Sequence, residues 1–139
     1  HFVAVVRPGH PLCEGTLTTA RYAAARHILV SRRGLEQGLI DEALAHLGLA
    51  RAAATLVPGF NTALALVRDS DLVATVPERH CAALHADLVT LPLPFPLAGI
   101  RVALIWHPSQ DADPAHRWLR TLIRETCAHA PYGGETRAT

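Results

Sequence analysis

The sequence predicts an α/β fold, a mainly parallel sheet with helices on both faces. Three observations predict it. Short apolar runs that read as strands alternate three times with segments of helical periodicity, and right-handed crossovers between parallel neighbours need a helix between them. The run Asp69-Ser70-Asp71-Leu72-Val73-Ala74-Thr75-Val76-Pro77-Glu78-Arg79 is a short apolar strand stopped by a proline, the kind of edge at which an open α/β sheet receives a small ligand. Half of the 139 residues are hydrophobic, enough to bury a core in one domain or two small lobes.

Taken in order, Phe2 to Val6 is a continuous apolar strand closed by the turn Arg7-Pro8-Gly9-His10-Pro11. A weak alanine-rich helix near Thr19 to Ala25 precedes a second strand, His27 to Ser31. Leu39, Ile40, Ala43, Leu44 and Leu47 then recur at 3.6-residue spacing, with Gly48 at the C-terminal cap and Glu42 and His46 on the opposite face. Ala52 to Val57 is the third strand. Pro58-Gly59 turns it toward Asn61, whose amide oxygen is expected to cap the helix carrying Ala63, Leu64 and Val67. Leu72 to Val76 is the fourth strand, and Pro77 is expected at the first position of a helix running to about Ala86.

Val89 to Leu93 and the apolar run Ile100 to Trp106 are further strand candidates. The clearest helix is the last. Asp113 caps it and Pro114 opens it; Ala115, Trp118, Leu119, Leu122, Ile123 and Cys127 form one stripe, while Arg117, Arg120 and Arg124 are expected to face water. Residues 131–139 read as a polar, glycine-containing tail.

Composition narrows the function classes. The thirteen basic residues are all arginine, are balanced by twelve acids to a net charge of +1, and never mass into a stripe, so the chain lacks the electrostatic footprint of a nucleic-acid binder. Three widely spaced cysteines argue against a disulfide scaffold and fit a reducing compartment. No stretch approaches the ~20 apolar residues of a membrane span, and no basic-then-apolar leader precedes the first strand. A cytoplasmic location follows as the expectation, with no membrane partner. The absence of methionine and the opening of the chain inside a strand suggest a fragment of something longer.

Chemistry-bearing groups are sparse. His80, Cys81 and His85 share a helical segment, and Asp111, Asp113 and His116 form a looser group, but neither supplies the four ligands of a zinc site. Ser31 follows a strand without the glycines of a nucleophile elbow or a matching aspartate–histidine pair. Gly34 and Gly38 build no dinucleotide turn, and a chain without lysine has no phosphate-loop lysine. Neither an enzyme nor a metal or cofactor is expected. What survives is binding: Ser31 and Thr75 present hydroxyls at strand ends, where Arg32 and Arg33 add charge-assisted donors suited to a carboxylate. For Ser31 and Thr75 the alternative is local capping, for the arginines simple exposure. Phe60, at the top of the third strand, either walls a pocket or plugs the core.

The segments Arg7-Pro8-Gly9-His10-Pro11-Leu12, His27-Ile28-Leu29-Val30-Ser31-Arg32-Arg33-Gly34, Asp71-Leu72-Val73-Ala74-Thr75-Val76-Pro77-Glu78-Arg79, and Trp106-His107-Pro108 through Asp113-Pro114-Ala115-His116-Arg117-Trp118-Leu119-Arg120 carry more in combination than alone. In order and spacing they resemble the effector-binding domain of LysR-type bacterial transcriptional regulators, over about residues 1–130. The resemblance implies a periplasmic-binding-protein-like (type 2) fold of two Rossmann-like lobes. The second lobe would span about residues 8–75 and the C-terminal part of the first about 76–130. It further implies a small-molecule effector, such as an organic acid, held between the lobes near Ser31, the loop Phe60-Asn61-Thr62 and Thr75. DNA would be bound only through a helix-turn-helix domain outside this chain, by a homodimer or homotetramer, with the Leu39 to Leu47 helix a candidate contact surface. The chain departs from the family pattern in lacking that DNA-binding region and the opening half of the first lobe, which leaves the first lobe incomplete and Ile100 to Trp106 at an unprotected edge. A free-standing solute-binding module, and an α/β enzyme, remain the alternatives.

Overall fold

A computed structural model describes residues 1–35, 37–81, 86–99 and 102–129, the side chains of His80, Cys81 and His129 excepted. The chain forms two compact units, divided between residues 100 and 101.

The first unit is built on five strands: β1 (Phe2–Val6), β2 (Arg26–Val30), β3 (Ala52–Val57), β4 (Leu72–Pro77) and β5 (Val89–Pro92), in the order β3-β2-β4-β1-β5. β2 runs parallel to both β3 and β4, whereas β1 runs antiparallel to β4 and β5. Four strands therefore share one direction and β1 alone opposes them. The α/β class and the mainly parallel sheet expected from the sequence are what form.

Period-two alternation sorts the side chains of each strand onto two faces. On one face Val3, Val5, Ile28, Ala74 and Val76 pack with Val57 and with Ala63, Leu64 and Val67 of α3 (Phe60–Arg68). On the other, Ala4, Val6 and Val73 pack with Tyr22 and Ala23 of α1 (Thr19–Ala24), Leu44 of α2 (Leu39–Ala45) and Phe95. Because both faces are covered, β1 reads in sequence as an unbroken apolar run and β4 as one interrupted only by Thr75. β3, at the sheet edge, exposes Ala52, Ala53 and Ala54. Gly48 adopts φ 70 just after α2, a left-handed conformation that suits glycine.

Two helix starts differ from expectation. Pro77 is the last residue of β4, opposite Phe2, and α4 (Glu78–Cys81) starts one residue later; Ala86, the expected helix end, lies in a turn. Pairing with β1 holds the proline in extended backbone, and the next N–H, that of Glu78, bonds the His1 carbonyl at 3.1 Å. Asn61 does not cap α3. The chain enters the helix straight from an extended Gly59, which places exposed Asn61 inside the first turn.

In the second unit α5 (Pro114–His129) is capped as expected, with Asp113 Oδ1 accepting from the His116 N–H at 2.7 Å. Two expectations fail there. Ile100 and Arg101 lie outside the described residues, and 102–106 form no strand: Val102 and Ile105 are 88% and 86% exposed. Apolar sequence creates a strand only where a neighbour completes the ladder, and no described segment of this unit does so. Arg120 does not face water but is buried, donating at 3.0 Å to the carbonyls of Gln110 and Asp111 and lying 4.5 Å over the Trp106 ring. The planar guanidinium closes the loop ahead of the helix from within.

Candidate ligand-binding site

Adjacent parallel strands β2 and β3 send their helices to opposite faces of the sheet, α2 to one and α3 to the other. A crevice opens at the carboxyl ends of strands wherever that divergence occurs. Here it is a cavity of ≈ 260 Å³, lined by the end of β2 through Ser31, by Leu39 and Ile40 at the start of α2, by Phe60 at the start of α3, and by Phe2, Thr75 and Arg51. Most of its wall is aliphatic or aromatic with a few polar groups, the usual make-up of a small-molecule pocket.

Of the residues singled out in the sequence, Ser31, Phe60 and Thr75 meet at this cavity. Arg32, Arg33, Asn61 and Thr62 are exposed and do not line it. Ser31 is held at both ends: its N–H donates to the Val57 carbonyl and its Oγ accepts from the Leu35 N–H, each at 2.9 Å. A hydroxyl that accepts in a local turn keeps its own proton as a donor. Thr75 is 5% exposed, and its Oγ1 lies 2.7 Å from the Tyr22 hydroxyl. Phe60 packs against the α3-side core while facing the cavity, so its two alternative roles coincide.

A polar cluster behind Thr75 escaped the sequence analysis. Arg51 reaches Asp41 with two bonds, Nε to Oδ1 at 2.7 Å and Nη2 to Oδ2 at 2.9 Å, and the Gly38 N–H also donates to Asp41 at 2.9 Å. The Arg51 side chain is 6% exposed and that of Asp41 21%. Burial pushes Asp41 toward the neutral acid, but the bonds and charge of Arg51 and the Gly38 N–H outweigh it, so its carboxyl sits below the ordinary range. Burial raises Tyr22 above its ordinary value, offset in part by Thr75 and Arg51, and the phenol stays neutral. His27, fully buried with its ring 4.6 Å from that of Tyr22, is pushed down to about 4 chiefly by burial. Its Nε2 donates to the Tyr22 carbonyl at 2.8 Å, which leaves Nδ1 without a hydrogen-bond partner among the described residues. No spacing in the sequence signals this cluster, because an arginine just ahead of an edge strand reads as a surface residue.

The other candidate groups found no such convergence. Asp113 caps α5, His116 Nδ1 accepts from Arg120 at 2.9 Å, and Asp111 accepts from Trp106 at 3.1 Å. His85 and the side chains of His80 and Cys81 lie outside the described residues. Among the described residues no three histidine, cysteine or carboxylate side chains group as a metal site. No helix among them is long and apolar enough to cross a membrane. A second cavity of ≈ 510 Å³, bordered by His1, Phe2, Glu78 and Phe95, gathers none of the predicted residues.

Fold and cavity together define a ligand-binding module of the periplasmic-binding-protein type, and the chain belongs to the LysR substrate binding domain family, which it matches over residues 1–128. Among its relatives, the HTH-type transcriptional regulator SyrM of Rhizobium meliloti (strain 1021) is 37% identical over 93% of this chain and 40% of its own length. The HTH-type transcriptional activator NahR of Pseudomonas putida is 32% identical over 88% of this chain and 42% of its own. The crystal structure of the regulatory domain of MexT, a transcriptional activator in Pseudomonas aeruginosa, superposes with a TM-score of 0.67 at 32% identity, over 89% of this chain and 60% of that one. These relatives are regulators rather than enzymes, and the chain is a regulatory effector-binding module. It spans less than half the length of the two curated relatives.

Proposed function

We propose that this chain binds a small organic effector in the cavity at the carboxyl ends of β2 and β3, and that occupancy controls transcription through a helix-turn-helix domain outside the chain. The carrying observation is the convergence of Ser31, Phe60 and Thr75, far apart in sequence, on one largely apolar cavity. Ser31 supplies a donor, Phe60 an apolar wall, and Thr75 a polar floor tied to Tyr22. Arg32 and Arg33 follow Ser31, and Asn61 and Thr62 follow Phe60, so in this proposal they act at the mouth rather than inside. An organic acid is the effector class, and residues 8–75 serve as one lobe with 76–130 contributing to the other. The intact regulator works as a homodimer or homotetramer, and the effector acts by favouring one lobe arrangement over another.

Thermal shift of this chain against small aromatic and aliphatic acids checks the proposal, because a ligand bound only to the folded state raises Tm by mass action. Ser31→Ala combined with Phe60→Ala should weaken the best ligand about tenfold or more, the cost of a donor and an apolar wall. Unchanged affinity in that pair would remove the cavity from consideration.

A further inference from the structure

We infer that Arg51 is the acid-recognising, specificity-determining residue of this cavity, held ready by Asp41; the inference rests on the cavity being the effector site. Arg51 is the single charged side chain among the described residues that line the cavity, whose remaining wall is aliphatic, aromatic, hydroxyl and amide. A carboxylate entering such surroundings loses hydration that only a cation with several donors replaces. Arg51 is that cation. Asp41 occupies the Nε–Nη2 edge of the guanidinium and the Tyr22 hydroxyl is a further hydrogen-bond partner, while Nη1 lies outside the pair with Asp41. One planar fork can serve two acceptors in this way, the first fixing its orientation for the second.

The surroundings support a recognition role over a purely structural one. Desolvating an ion pair takes back most of what its attraction contributes, so a buried pair adds little to stability that aliphatic residues would not supply. This pair is nonetheless kept at a cavity wall, braced from both sides: Gly38 N–H holds Asp41, and the Tyr22 phenol, bonded to Thr75, feels the Arg51 guanidinium. Asp41 balances the charge of Arg51 at the cavity wall while setting the fork. Arg51 thereby joins Thr75 and Ser31 as the polar groups of a wall that also holds Phe2 and Phe60.

The test uses matched probes: benzoate, phenylacetate, cyclohexanecarboxylate and hexanoate, each beside its carboxamide, titrated against this chain by calorimetry. At least one acid is expected to bind about tenfold or more tightly than its amide. Arg51→Lys, which keeps the charge but not the fork, should lose that margin of acid over amide. Because a lone change risks stranding Asp41, the double variant Arg51→Gln with Asp41→Asn removes both charges together; folded by its thermal transition, it should bind acid and amide alike. Asp41→Asn alone, which relieves the competing negative charge, should tighten the acid, whereas a structural brace would only weaken it. Amides that match their acids in the parent protein overturn the role of Arg51 and leave the cavity proposal standing. Acids whose margin survives the double variant do the same. If no acid and no amide binds, the cavity proposal falls and the inference falls with it.

Discussion

His27 shows how much one buried residue contributes to the pH dependence of this fold. Its ring is fully buried, donates through Nε2 and has no partner for Nδ1 among the described residues, an arrangement that favours the neutral imidazole. In the unfolded chain a histidine takes up its proton near 6.5, while here burial delays uptake to about 4. Stability is therefore complete above pH 6.5, falls as pH drops toward 4, and levels off below, for a total on the order of 3 kcal/mol. Urea midpoints measured between pH 7.5 and 4 should fall with this profile, and His27→Gln should flatten it. A slope that persists in the variant would place the titration elsewhere. At this scale the sequence was partly legible. Ser31 and Thr75 are visible as hydroxyls at strand ends, whereas Tyr22, Asp41 and Arg51 are not, because a long side chain from the loop before β3 reaches a carboxylate on α2 that no periodicity connects to it.

At the scale of elements, the signal that reveals a strand is the signal of burial. β1 and β4 are legible because helices cover both faces, which makes their positions apolar with Thr75 the exception, and β3 is legible because Thr55, Leu56 and Val57 run up to the turn signal Pro58-Gly59. Ile100 to Trp106 carries the same kind of run, yet 102–106 form no ladder, since strand identity depends on a partner that a single run does not encode. Helix starts were less legible: Gly59 rather than Asn61 opens α3, and Pro77 ends a strand instead of opening a helix. Burial also ranks the consequences of mutation. Leu64 of α3 is 1% exposed within the core beneath the sheet, so Leu64→Ala should cost about 2–5 kcal/mol, while Ala53→Ser on exposed β3 should fall within about 0.5 kcal/mol. Chemical denaturation of the two variants distinguishes them; equal losses would contradict the assigned core.

For the whole molecule, protection from exchange should follow the two units. Amides of β1, paired on both sides and buried, belong to the most protected class, and those of 102–106, without ladder partners among the described residues, to the least. Hydrogen exchange followed residue by residue should separate them by orders of magnitude. Comparable protection in the two segments would mean that 102–106 pair in solution. The fold class was legible from alternation alone, and the family from the ordered segments around Ser31, Thr75 and Trp118. The division between residues 100 and 101 was not, because it reflects which segments find partners rather than any break in composition.

The reversed strand β1 has a consequence for the chain as the ribosome makes it. Phe2–Val6 is synthesised ahead of β2, β3, β4 and β5, but both of its neighbours, β4 and β5, come some seventy residues or more later. β2, β3 and the helices between them can assemble from near neighbours while β1 waits with its apolar side chains unclaimed. Closing so long a loop is slow compared with local pairing. Of the five strands of this sheet the earliest made is thus among the last to be placed, and while it waits its apolar side chains stay open to a holding chaperone.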